Sequence, residues 1–294
     1  MTDAARPIVV GHDDDPTATD ALALGAALAR ATGAPLVLAR VCADDDEAVS
    51  AADESLGRVA DELGGSAQAR VVRASSPAAG LYALAEAVHP EAVVVGSHRR
   101  GTAGRLFAGS VAERLLQGAP CPVVVAPRGF ADASGEGLRK VCVAFDGRPE
   151  SWAALQHGAR LAAASGAKLL ILCAIQPATP WPTAIPLLPE ILEEQRTEAE
   201  RTVAQAVTSV SRRLDAEGRA VDADPVHALE AETEHDVDLL VLGSRGYGPL
   251  HRVLVGSVST PLMRAAACPV MVVPRSVEFD PSATGLAGSD DLGE

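Results

Sequence analysis

Short unbroken apolar runs alternate along the chain with longer stretches whose apolar residues recur every three or four positions. The first kind (Ile8–Gly11, Leu36–Val41, Ala69–Ala74, Val93–Val95 and Val123–Ala126) predicts strands covered on both faces, because a strand with one wet face alternates polar and apolar residues. The second kind predicts helices over Thr17–Thr32, Asp46–Leu63, Ala78–Val88 and Ser110–Gln117. Pro16 before the first of these and Gly33 after it are start and stop signals. Strictly alternating strands and helices require crossover connections, hence a parallel sheet with helices on both faces.

The pattern then repeats. IVVGHD at 8–13 returns as VCVAFD at 141–146, and GAPLVLARV from Gly33 returns as GAKLLILCA from Gly166, both offset by 133 residues. LFAGSVAERLLQGAPCPVVVAPR at 106–128 returns as VLVGSVSTPLMRAAACPVMVVPR at 253–275, offset by 147. The second copy therefore carries a net insertion near its middle. The proline-rich stretch 176–190, with Trp181, is the place for most of it, ahead of a long polar helix over Glu190–Glu217. Two α/β domains follow, 1–128 and 138–275. A Gly/Ala/Ser-rich linker joins them, and the small, acidic 276–294 reads as a disordered tail.

Composition narrows the partners. With only eight Phe, Trp and Tyr in 294 residues, the core is built of Ala, Val and Leu. The net charge of −14 disfavours a nucleic acid or an anionic membrane surface, which call for Lys/Arg patches. No apolar run reaches membrane-spanning length, and the acidic N-terminus lacks a signal-peptide core. Five cysteines without a CxxC pair read as reduced thiols, so the expected compartment is the cytoplasm. Cys121, Cys142, Cys173 and Cys268 lie in or beside apolar strands and read as buried, inert thiols.

In an open parallel sheet, ligands bind beyond the C-terminal strand ends where strand order reverses. Three segments per half arrive there: Gly11–Asp15 and Ala144–Arg148 after the first strand, Val41 and Ala174 at the end of the second, and a glycine loop after the fourth. In the second half that loop reads Gly243-Ser244-Arg245-Gly246, nine residues, then Gly256-Ser257. Glycine at a strand end admits close approach of a ligand, and a helix beginning at Gly-Ser presents unpaired N–H groups to an anion. GRLFAGS at 104–110 has a P-loop outline but lacks its Lys, and GxGxxG follows no strand. Both a Walker ATPase and a nicotinamide-type fold are disfavoured. No nucleophile–base pair or zinc ligand set is visible, so no catalytic residue and no resident metal is expected.

A short strand ending in Asp, GAxLxLL at the second strand, G-x2-G-x9-G-[S/T] and a CPVxVV strand together resemble the universal stress protein family, over both halves. The resemblance implies tandem five-stranded sheets of order 3-2-1-4-5 that pair through their last strands. It also implies ATP across the sheet edge. By position, Asp146 and Ala174 would meet adenine, and Gly243, Gly246, Gly256, Ser257 and Val258 would line ribose and phosphates. Arg245 could add a phosphate contact, on our own inference. The first-half counterparts are Asp13, Val41, Gly96, Gly109, Ser110 and Val111. There, however, Arg99 replaces the second glycine and Asp14-Asp15 follow Asp13, so a triphosphate would need a cation such as Mg²⁺ between. The second half is expected to bind more tightly.

Plain readings stand beside these. The glycines could serve only a tight turn, and Asp13 and Asp146 could be helix caps or turn residues. The Asp13–Asp15 and Asp44–Asp46 runs could be solvated loops. The histidines outside the first site read as surface residues. The functional expectation is a nucleotide-dependent stress-response regulator that acts on another protein, working as an intrachain pseudo-dimer or a homodimer. A slow nucleotide-hydrolysing or nucleotide-transferring enzyme and a nucleotide-free scaffold are the alternatives.

Overall fold

A computed structural model describes residues 5–13, 15–97, 106, 108–133, 137–176, 189–210, 214–244 and 257–277. The first half runs β1 (Ile8–Gly11), α1 (Pro16–Thr32), β2 (Leu36–Cys42), α2 (Asp46–Glu62), β3 (Ala67–Arg73), α3 (Pro77–Val88), β4 (Ala92–Gly96), α4 (Ser110–Leu116) and β5 (Val123–Ala126). After α5 (Phe130–Ala133), the second half runs β6 (Lys140–Ala144), α6 (Pro149–Ser165), β7 (Lys168–Ile175), α7 (Pro189–Val210), β8 (Ala216–Asp222), α8 (Pro225–Thr233), β9 (Leu239–Gly243), α9 (Ser259–Ala265) and β10 (Val270–Val273).

Each half has the expected parallel order 3-2-1-4-5, and the two merge into one ten-stranded sheet, β3-β2-β1-β4-β5-β10-β9-β6-β7-β8. The seam is antiparallel, with Val123, Val124 and Val125 opposite Val272, Met271 and Val270. These seam residues are at most 3% exposed. Successive strand residues point to opposite faces, so each strand feeds two cores. Val10, Val94, Val124, Val143 and Met271 pack beneath α1, α2, α6 and α7. Val9, Val93, Val125, Leu240 and Val272 pack on the other face with residues of α3, α4, α8 and α9. Both cores cross the seam without a break.

Three sequence expectations need correction. The helix expected to reach Glu217 ends by Val210, and Glu217 lies inside β8. Gly218 of that strand would meet Val203 of α7 at 2.4 Å if it bore a Cβ, so this strand is specified by what lies over it rather than by its polar sequence. The linker is not plain coil. Asp20 of α1, 5% exposed, accepts the N–H groups of Gly129 (3.0 Å) and Ala131 (2.9 Å) and so fixes α5 against the first domain. Lastly, His157 is half-buried, and burial lowers its pKa to about 4, helped by the Arg160 and Arg6 charges.

Cys121, Cys142, Cys173 and Cys268 are buried and unpaired as read. Burial pushes the Cys121 and Cys142 thiols up to about 12 and raises those of Cys173 and Cys268. The tail from 278 on, and Trp181 with the rest of 177–188, lie outside the described residues. Among the described residues no helix is long and apolar enough to cross a membrane.

Candidate functional site

Strand order reverses at β1/β4 and at β6/β9, because the strand following β1 lies on one side of it and β4 on the other, with β6 the same. In the second half, the C-terminal ends around this point enclose a cleft of about 90 Å³. Ala144, Phe145 and Asp146 come from the end of β6, Leu172 and Ala174 from β7, and Leu242 and Gly243 from β9. The wall is completed by Glu150 and Ser151 of α6, Pro225 and Leu229 of α8, and Ser257–Ser259 at the start of α9. Five residues expected from sequence (Asp146, Ala174, Gly243, Ser257 and Val258) therefore meet in one place. Arg245, Gly246 and Gly256 lie outside the described residues, as does Arg99 in the first half.

The cleft is small beside the roughly 300–1,000 Å³ of typical small-molecule pockets. It suits one flat end of a ligand, with the rest extending over the open sheet edge. Its floor is apolar. Phe145 is 3% exposed and meets Trp152 edge-on, with ring centroids 5.0 Å apart at 87°. Its backbone N–H donates to Leu172 O (2.9 Å), which closes the gap between β6 and β7.

Asp146 is a turn residue. Its Oδ1 accepts the N–H of Arg148 at 3.2 Å, and its Oδ2 lies 3.7 Å from the Arg148 guanidinium. Gly147 between them has φ +77°, a conformation costly for any residue with a Cβ. Arg148 stands at the N-cap of α6 with no side-chain hydrogen bond to the helix. The first turn of a 17-residue helix thus faces the cleft without a capping oxygen. Glu150 in that turn lies 3.6 Å from the Arg275 guanidinium.

Gly243 lines the cleft and also has a packing role. A Cβ there would lie 2.4 Å from the Glu150 carbonyl oxygen. The glycine lets α6 seat its first turn on the end of β9. Gly96 does the same in the first half, where a Cβ would lie 2.4 Å from the Thr17 carbonyl oxygen of α1. Ser244 is buried and its Oγ accepts the Arg275 N–H at 3.2 Å, while Ser97, its counterpart, has a buried Oγ without a hydrogen-bond partner among the described residues.

The first half repeats the frame. Asp13 Oδ1 accepts the Asp15 N–H at 3.0 Å, matching Asp146 and Arg148. Asp15, where the second half has Arg148, caps α1 by accepting the Thr17 N–H and hydroxyl, both at 3.0 Å. Val41 packs beside α3, where a Cβ on Gly80 would touch it at 2.6 Å. Gly109 is the N-cap of α4, followed by exposed Ser110 and half-buried Val111. The other acidic run is occupied, since Asp44 and Asp46 hold Arg73 at 2.7 and 2.5 Å and Asp45 caps α2. Among the described residues no group of three His, Cys, Asp or Glu side chains is placed to hold a metal.

The profile of the universal stress protein family matches residues 4–127 and 137–274. The chain belongs to the universal stress protein family, with two such domains in tandem. A universal stress protein of Mycobacterium tuberculosis is 29% identical over 237 residues, covering 76% of this chain and 77% of that one. Another from Thermus aquaticus is 32% identical over 140 residues, 46% of this chain and 98% of its own length. The crystal structure of a universal stress protein from Archaeoglobus fulgidus superimposes with a TM-score of 0.68 at 19% identity, covering 94% of this chain and all of that one.

Sequence reasoning missed Glu150, Ser151, Leu172, Pro225, Leu229, Leu242 and Ser259. Pro225 and Leu229 lie on α8, and no local pattern ties a crossover helix to a strand end. Arg148 was legible, because it occupies the position that Asp15 holds in the first copy.

Proposed function

We propose that this tandem universal stress protein binds ATP in the cleft of its C-terminal half and works as a nucleotide-dependent regulator. The observation that carries the reading is the convergence of Asp146, Ala174, Gly243, Ser257 and Val258 on one cleft at the switch point, where open α/β sheets take their ligands. The apolar floor of Phe145, Leu172 and Leu242 suits a purine face. Asp146 lies at the edge of this cleft, positioned to accept from an exocyclic amine. The uncapped start of α6 and the Arg148 guanidinium supply positive potential for the phosphate end, which leaves the cleft along the open edge. ATP brings a polyphosphate whose charge these groups would meet. Mg²⁺ would travel with the nucleotide, since the described side chains form no cation site of their own.

A calorimetric titration of the full chain tests this. One ATP per chain at micromolar affinity, worth about 8 kcal/mol, is expected, and Ala174→Trp, which fills the cleft, abolishes it. Absence of heat with the unaltered chain would defeat the proposal. Following ADP in the same sample separates a binding protein from a slow hydrolase, because a binding protein releases none.

A further inference from the structure

Helix α9 has a different neighbour at each end. At its start, Ser257, Val258 and Ser259 line the second-half cleft. At its other end the carbonyls of Met263 and Ala266 accept hydrogen bonds from the first half, from Ala108 N–H at 2.8 Å and Leu106 N–H at 2.7 Å. The last carbonyls of a helix have no intrahelical donor and must be satisfied from outside. Here another domain satisfies them. Leu106 is fully buried, so the contact is part of the core and not a surface touch.

The segment that donates belongs to the first site. Ala108 bridges to Ser97, the residue after β4, and immediately precedes Gly109, Ser110 and Val111. A second tie runs alongside, with Arg264 of α9 lying 3.7 Å from Glu113 of α4. Leu262 and Met263 are at most 2% exposed, so α9, about 10 Å long, is packed to shift as a unit rather than bend. Next to this contact lies a further buried polar group, the Ser97 hydroxyl. Among the described residues the buried Ser97 hydroxyl has no partner, whereas its counterpart Ser244 accepts a backbone N–H.

We propose that α9 couples the two halves, so that nucleotide in the C-terminal cleft tightens the contacts of Leu106 and Ala108 of the N-terminal half and, by reciprocity, those contacts set nucleotide affinity in the cleft. The coupling rests on the nucleotide reading of the cleft. Reciprocity is a thermodynamic requirement for any such pair of sites.

Hydrogen exchange on the full chain, with and without saturating ATP, tests it, with calorimetry on the same sample. Exchange at Leu106 and Ala108 is expected to slow about fivefold or more when ATP binds. Bound ATP with unchanged exchange at these two amides overturns the coupling and leaves the nucleotide reading intact. No heat of binding overturns the nucleotide reading, and the coupling falls with it. Ala108→Pro deletes one of the two donors and is expected to weaken ATP binding about fivefold; unchanged affinity in the folded variant counts against the proposal. Should that variant not fold, Arg264→Ala on the surface gives the parallel readout, a smaller change in exchange at Leu106 and Ala108 on adding ATP, and an undiminished change again counts against it.

Discussion

Helices α1 and α6 begin at the same strand end in their respective halves and finish on the same left-handed glycine, Gly33 at φ +70° and Gly166 at φ +66°. Their first turns differ in charge. In α1 the partial positive charge of the helix start is met by the protein's own Asp15 carboxylate. In α6 the equivalent place holds Arg148, which adds a positive charge and caps nothing. The turn before each is built alike, with Asp13 and Asp146 each accepting the N–H two residues on. Duplication has kept the frame of the site and changed its electrostatics. At this point the halves differ in the charge of the helix start, an acid in one and a base in the other.

The sharpest test is of the frame. Gly96 and Gly243 would each place a Cβ 2.4 Å from a backbone oxygen of the facing helix. Backbone cannot yield as a side-chain tip can. Gly96→Ala and Gly243→Ala are each expected to cost about 3 kcal/mol, as overpacking does, with similar losses in urea unfolding. A substitution tolerated in one half and not in the other would show that the two strand ends are not equivalent after all.

Most of this frame was legible in the sequence, because a buried parallel strand leaves an unbroken Val/Ile/Leu signature and the duplication lets each half check the other. The seam was legible from the family resemblance, through Val123–Val125 and Val270–Val273. What stayed hidden depends on contacts distant in sequence. Nothing local marks Asp20 as the anchor of residues 129–131, 109 residues away along the chain. Gly243 was read as ligand-facing, and its close approach to Glu150 stayed hidden, because a glycine at a strand end admits a ligand or a helix equally well. The first two residues of β8, Ala216 and Glu217, were read into the preceding helix because the sequence AEGRAVD carries little strand propensity; the strand takes its conformation from β7 and α7.

A smaller asymmetry separates the undersides of the same two helices. His157 of α6 stands where α1 has the fully buried Leu24. Its pKa is lowered to about 4, chiefly by burial and then by Arg160 and Arg6. In the unfolded chain an imidazole titrates near 6.5. A His held below its unfolded value contributes stability that is complete above about pH 6.5 and is lost as the pH falls towards 4. Discounted for partial exposure, the loss is about 2 kcal/mol. His157→Leu, which copies the first half, is expected to remove that share, so the drop in urea midpoint between about pH 7 and pH 4.5 becomes smaller than in the parent. An identical drop in both proteins would mean that His157 titrates normally.

The finest test exchanges the charges of the two first turns. Arg148→Asp gives α6 the residue of α1, and Asp15→Ser with Arg99→Gly gives the first half a neutral cap and the missing glycine. Serine caps a helix about as well as aspartate, so the first-half change removes charge with little loss of stability. The expected result is a roughly tenfold weaker ATP site in Arg148→Asp, about 1.4 kcal/mol, and the gain of a second site in the double variant, both read as calorimetric affinity and stoichiometry. Stability supplies a control of opposite sign. Arg148→Asp adds a capping carboxylate to α6, worth about 1 kcal/mol, so its melting temperature should rise while its affinity falls. General damage to the fold lowers both together. A variant that is more stable and binds ATP as tightly as the parent would show that the first-turn charge does not distinguish the two halves.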